Sequence, residues 1–199
     1  MAWALPSSYV SDRRGRLRQA RQNGPVSTVL VLTGLPGTGK STLADRAAMA
    51  LGAPSFAGDW LLGALAPHGV LRGLDRPAYL RMYHDLLGTL ITRQLMLGQS
   101  AVVDCLVDDA VLTRWRALTD EHGARLAVVE CRCADVEVHR RRVEERVRDI
   151  PGWHEVDWAH VERMRAEFPP LTVEHLTLDT ATTDVEAALD RVLAYAGAA

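Results

Sequence analysis

The stretch Gly34-Leu35-Pro36-Gly37-Thr38-Gly39-Lys40-Ser41-Thr42 brings together three residue types that handle polyphosphate. Its glycines let backbone N–H groups turn inward around an anion, at angles a side chain would forbid. A helix starting at the lysine points its positive end at the same charge. Lys40 offers a compact ammonium on a long stem to the β- and γ-phosphates, and Ser41 a hydroxyl to Mg²⁺. Lys40 is also the only lysine in the chain, against twenty-two arginines. A planar, forked guanidinium does not duplicate a point charge. The spacing G-x-x-x-x-G-K-[ST] therefore reads as a grip for a nucleoside triphosphate, and a Gly-rich turn without a ligand is the bland alternative. Context decides between them, because the grip needs a strand before it and a helix after it.

Both flanks supply that context. "VSTVLVLTG" is β-branched and leucine-rich, the mark of a strand buried on both faces. "STLADRAAMALG" follows with Leu43, Ala47 and Leu51 at helical spacing and Gly52 as a stop. Further along, "PSFAGD", "AVVDC", "RLAVVECRC" and "LTVEHLTLD" read as four more strands. Between them lie a long helix from Pro77 to about Gly98, a helix over Val111–Leu118, and a charged helical stretch over 135–166 broken at "DIPGW". Thr183 and Glu186 have capping-box spacing for a last helix. Strands alternating with helices predict a three-layer α/β fold around a mostly parallel five-stranded sheet.

Composition narrows the setting. The 199 residues read as a basic N-terminal arm, residues 1–24, followed by a single domain, residues 25–199. Net charge is −2, so no global field recommends nucleic acid or an anionic membrane as partner. No apolar run reaches the roughly 18 residues of a membrane span, and the arginines follow rather than precede the first apolar residues. Three cysteines, Cys105, Cys131 and Cys133, sit in apolar runs and read as reduced core thiols. These features predict a cytoplasmic protein. Nothing in the sequence specifies an oligomeric state.

With these residues in view, the chain over 26–197 resembles the small P-loop kinases and phosphotransferases. That group includes shikimate and gluconate kinases, chloramphenicol phosphotransferase, polynucleotide kinase and zeta-type toxins. The resemblance implies ATP and Mg²⁺ as cofactors, transfer of the γ-phosphate to a hydroxyl of a small molecule (an antibiotic, sugar, nucleoside or other metabolite), and a helical lid over about 140–166. It also assigns roles by position. Asp59 stands where such kinases carry an acceptor-side aspartate that receives or orients the hydroxyl proton; an N-cap for the next helix is the plain alternative. Asp104 ends a central strand beside the crevice of an open α/β sheet. It reads as a metal ligand through water or an acceptor contact, or else as a structural cap. The choice of Asp59 over Asp104 as base rests on the resemblance.

Arg142 and Arg146 are four apart and thus on one helical face. In the resemblance they open the lid, Arg142 packing on adenine and Arg146, with Arg148 beside it, meeting the phosphates. Pairing with Glu144 and Glu145 on a solvated helix is the alternative. Asp179 and Thr180 fall where these folds place backbone around the adenine edge. Trp153 and Trp158 either cover the substrate or pack the lid. Trp60, His68, Arg72, Arg76, Arg81, Tyr83 and His84 surround the expected acceptor position, with His84 read as a solvated histidine.

Three rival readings are weighed on residues alone. A GTPase needs N-K-x-D or T-K-x-D, and the single lysine is already placed. A AAA-type motor needs a second ATPase subdomain, for which the length leaves no room. A kinase of nucleic-acid ends, supported by the arginine arm, and a nucleotide-binding regulator stay as alternatives.

Overall fold

The computed structural model describes residues 9–11, 17–19 and 26–197. The arm over 1–24 lies outside the described residues except for two short antiparallel strands, β1 (Tyr9–Ser11) and β2 (Leu17–Gln19).

The main sheet has five parallel strands: β3 (Thr28–Thr33), β4 (Ser55–Ala57), β5 (Ala101–Asp104), β6 (Arg125–Arg132) and β7 (Leu176–Asp179), in the order β4-β5-β3-β6-β7. Every residue of the central strand β3 is buried, as expected for a strand covered on both faces. Its side chains alternate between two cores. Val29 and Val31 face one side with Leu87, Ile91 and Trp115, and Leu30 and Leu32 face the other with Leu43, Ala47 and Val192. Burying each such aliphatic chain contributes about 1.5–3 kcal/mol.

The helices over these faces are α1 (Lys40–Leu51), α2 (Gly58–Leu65), α3 (Arg76–Met96), α4 (Asp109–His122), α5 (Val136–Glu145), α6 (Trp158–Glu167) and α7 (Val185–Ala196). Five of them, α3 to α7, begin on an aspartate whose carboxylate accepts a backbone N–H: Asp75, Asp108, Asp135, Asp157 and Asp184. Each such cap is worth about 1 kcal/mol. Helix α1 begins instead on Gly39, with no side-chain cap, which leaves its first N–H groups free for a ligand.

Several boundaries differ from the sequence reading. The last helix is capped by Asp184, whose Oδ1 accepts from Ala187 N at 2.9 Å, and not by a Thr183–Glu186 box. A carboxylate one residue later wins because it meets the third N–H in the same geometry. Helix α4 extends a residue-pair earlier and a turn later than Val111–Leu118, from the Asp108 cap to Gly123. The break in the charged stretch spans 146–157 rather than the Pro-Gly site alone. No helix among the described residues is long and apolar enough to cross a membrane.

Candidate active site

The glycine loop joins the end of β3 to the start of α1. Gly34 has φ of 138°, and a Cβ there would lie 2.2 Å from the Cys131 carbonyl oxygen, so only glycine fits. Thr38 ties the loop to itself, its Oγ1 donating to the Leu35 carbonyl at 2.8 Å. Beneath the loop, His139 of α5 is 1% exposed. Its Nδ1 accepts from Arg165 at 3.1 Å, so Nε2 carries the proton and donates to the Pro36 carbonyl at 2.8 Å. Burial holds this imidazole below its ordinary pKa, in keeping with the neutral tautomer. Sequence reading passed over His139; its only signal was a lone histidine inside an arginine cluster.

Lys40 and Asp104 meet at the base of the loop. Both are buried, and Lys40 Nζ stands 3.8 Å from Asp104 Oδ1. Parallel register explains the approach, since Asp104 is aligned with Leu32 at the carboxyl end of the sheet. Asp104 Oδ1 is buried with no hydrogen-bond partner among the described residues, and Asp104 caps no helix. An orphaned buried carboxylate oxygen is costly and suits a cation or a metal-bound water. With the Ser41 hydroxyl in the first turn of α1, this donor set fits Mg²⁺.

Asp59 lies in the first turn of α2, two residues after the Ala57 N-cap, and caps nothing. It forms an ion pair with Arg148, from the 146–157 segment. The Arg148 backbone N–H donates to Glu155 Oε1 at 2.8 Å, which fixes the same segment. Asp59, Lys40 and Asp104 line one cleft of about 520 Å³ together with Gly34 and Pro36. Tyr83 lines it too; it is buried, and its ring lies so close to α2 that a Cβ on Gly58 would sit 2.0 Å from its hydroxyl. Burial first, then Cys105, Asp59 and Asp104, push the Tyr83 phenol well above its usual pKa, so it is a proton donor and not a phenolate.

The arginines divide in a way their spacing conceals. Helix α5 ends at Glu145, and Arg146 has extended backbone at φ −73° and ψ 143°. Arg142 and Arg146 therefore do not share a helical face, since the chain has left the helix before the second. Arg142 donates to Thr180 Oγ1 at 3.0 Å and to the Thr180 carbonyl at 2.9 Å. Arg146 is half-buried near Glu155, with Nε 3.8 Å from Oε2, and its buried Nε and Nη2 have no hydrogen-bond partner among the described residues. Burial, then the neighbouring Arg148, lowers its pKa. Buried, unused guanidinium donors suit an anion.

Asp179 and Thr180 hold the loop after β7. Asp179 accepts from Ala134 N at 3.1 Å and Ala181 N at 3.0 Å, which keep its carboxyl below the usual range. Thr180 Oγ1 donates to the Thr38 carbonyl at 2.9 Å and so braces the glycine loop. Among the residues expected near the acceptor, Arg76 pairs with Glu167, and Arg76 and Tyr83 line the cleft, whereas Trp60 is exposed. His84 corrects its reading as a solvated side chain. It is 4% exposed, with Nε2 3.0 Å from the Leu106 carbonyl, because α3 turns this position toward β5. Trp153 lines the cleft, whereas Trp158 packs edge-on against His139 with ring centroids 5.2 Å apart.

The segment after α5 also touches α2 backbone to backbone. A Cβ on Gly63 would fall 2.5 Å from the Pro151 carbonyl, and one on Gly152 would fall 2.3 Å from the Gly63 carbonyl.

Residues 29–171 match the model of a family described as AAA domain (AAA_33). No curated protein matches the sequence. Among solved structures, a sugar kinase from Janibacter sp. HTCC2649 is similar at 17% identity and a TM-score of 0.63, over 88% of this chain and 96% of that one. A gluconokinase from Sinorhizobium meliloti 1021 is similar at 18% identity and a TM-score of 0.63, over 87% and 94%. The APS kinase CysC of Mycobacterium tuberculosis, in a complex with AMPPNP and APS, is similar at 18% identity and a TM-score of 0.59, over 86% and 98%. The chain belongs to the AAA domain family and has the P-loop kinase-like α/β fold.

Proposed function

We propose that this protein is an ATP-dependent phosphotransferase acting on a hydroxyl of a small molecule. One observation carries the reading: Lys40, Asp104 and Asp59 line a single cleft at the mouth of the glycine loop. The third group is a carboxylate that caps nothing, lines the cleft and is paired with Arg148 of the 146–157 segment.

In this reading the N–H groups of Gly37 and Gly39 in the loop and of the first turn, Lys40 to Thr42, cradle the polyphosphate. Lys40 neutralises the β- and γ-phosphates. Ser41 and Asp104 would hold Mg²⁺, which would supply charge neutralisation for the transferring group. The acceptor oxygen attacks the γ-phosphorus in line, the bond to the bridging β–γ oxygen breaks, and ADP leaves. The hydroxyl proton passes to Asp59, which is freed when Arg148 moves to the phosphates. Arg146 brings its unused donors to the equatorial oxygens, where charge develops in a water-poor site. Arg142, with Thr180 and Asp179, keeps the base-side edge in place. The 146–157 segment and α6 act as the lid, which excludes water when it closes.

The test is a set of hydroxyl compounds incubated with γ-labelled ATP and read by mass spectrometry for an added phosphate. A labelled product that disappears in Lys40→Ala supports the reading. Nucleotide binding with no labelled acceptor of any class overturns it.

A further inference from the structure

We propose that the acceptor is an alcohol carried on an aryl or otherwise apolar body, not a polyol such as a sugar or sugar acid. The inference rests on the phosphotransfer reading and names its substrate class.

The cleft is polar at its reacting end, where Lys40, Asp104 and Asp59 meet, and apolar along its walls. Leu62, Leu71, Tyr79, Leu80, Trp153 and Phe168 form much of the lining. Tyr79 and Tyr83 stack in parallel, 2° apart with centroids at 6.4 Å. Away from the reacting end, the charged or imidazole lining groups are Arg76, His154, His160, Arg163 and Glu167, and His160 alone is half-buried among the last four. Arg76 is engaged by Glu167 and lies over the Phe168 ring at 5.6 Å. His154 and Arg163 are exposed, so they belong to the solvent rim.

A polyol bears a hydroxyl on nearly every carbon, and each one stripped of water against leucine or phenylalanine loses partners it is not repaid. An aryl group gains from the same walls, by area removed from water and by edge and face contacts with the tyrosines, Trp153 and Phe168. One terminal hydroxyl then suffices, held between Asp59 and the Tyr83 phenol. The charged rim leaves room for a polar tail to remain in water.

The experiment is calorimetry on the full-chain protein saturated with AMPPNP, titrated with 3-phenylpropane-1,2-diol and, separately, with gluconate. The aryl diol is expected to bind at least about tenfold more tightly. Phe168→Ser and, as a second half-buried wall position, Leu71→Asn should each weaken the aryl diol about tenfold while AMPPNP affinity stays unchanged. Gluconate binding as tightly as the aryl diol, or no aryl-diol binding to nucleotide-loaded protein, overturns the proposal. The phosphotransfer reading fails separately: labelling of gluconate by ATP would sink the acceptor class and leave phosphotransfer standing, whereas labelling of no acceptor would sink phosphotransfer itself.

Discussion

Arg148 reaches from the segment between α5 and α6 to form an ion pair with Asp59 at the start of α2. The pair joins the 146–157 segment to the carboxylate proposed to receive the acceptor proton. Its Asp59 side chain is 36% exposed, so its net worth to stability is at most about 1 kcal/mol. Arg148→Gln should therefore leave the thermal midpoint nearly unchanged but speed limited proteolysis within 146–157. Asp59→Asn should lower the phosphorylation rate about a hundredfold, with nucleotide affinity unaltered. An unchanged rate would move the proton to another group.

Lys40 and Asp104 are buried together, so removing one leaves the other uncompensated. Lys40→Ala should abolish nucleotide binding and cost stability at once. The double change Lys40→Met with Asp104→Asn should recover the stability and not the binding. Denaturant unfolding paired with fluorescent-nucleotide titration separates the two effects.

Arg146 makes the opposite forecast. Its buried donors lack partners, so the folded protein without ligand gains little from the charge. Arg146→Met should be neutral or stabilising by up to about 2 kcal/mol. Turnover should fall about a hundredfold or more. A large loss of stability would show that the guanidinium serves the fold instead.

The strand–loop–helix unit was plain in the sequence because the G-x-x-x-x-G-K-S run needs both flanks and both were well patterned. Asp59 and Asp104 were found as residues, yet their convergence depends on β4 and β5 being neighbours, which no local pattern encodes. The arginines failed as a helical pair because period 3.6 assumes that the helix continues, and it stops at Glu145. His139 and His84 were invisible as structural groups, since burial of a polar ring depends on carbonyls supplied by Pro36 and Leu106, 103 and 22 residues away.

Those two histidines set an acid limit. Burial lowers both from the ordinary value of 6.5. The unfolded chain takes up protons as pH falls through about 6.5, while the folded chain resists until lower pH. Stability is thus complete above that value and declines below it. His139 feels Arg165 and Arg142 as well as the Pro36 carbonyl, and a proton on Nδ1 would lose the Arg165 bond. Denaturant midpoints should fall between about pH 7.5 and 5.5, and His139→Gln should shrink the fall.

Gly34→Ala places a methyl 2.2 Å from the Cys131 carbonyl at φ of 138°. It should destabilise by about 2–4 kcal/mol and prevent nucleotide binding. Gly52→Ala meets nothing within 4 Å at φ of 58° and should cost only about 1 kcal/mol. Calorimetric melting of the two variants gives the comparison.

The paired glycines at 63 and 152 make the seam between α2 and the 146–157 segment sensitive to a single carbon atom. One methyl there acts as a doorstop: it props the segment, and with it the Trp153 side chain that lines the cleft, away from the helix that carries Asp59. A protein wedged in this way would still grasp ATP but leak it to water, trading transfer for hydrolysis.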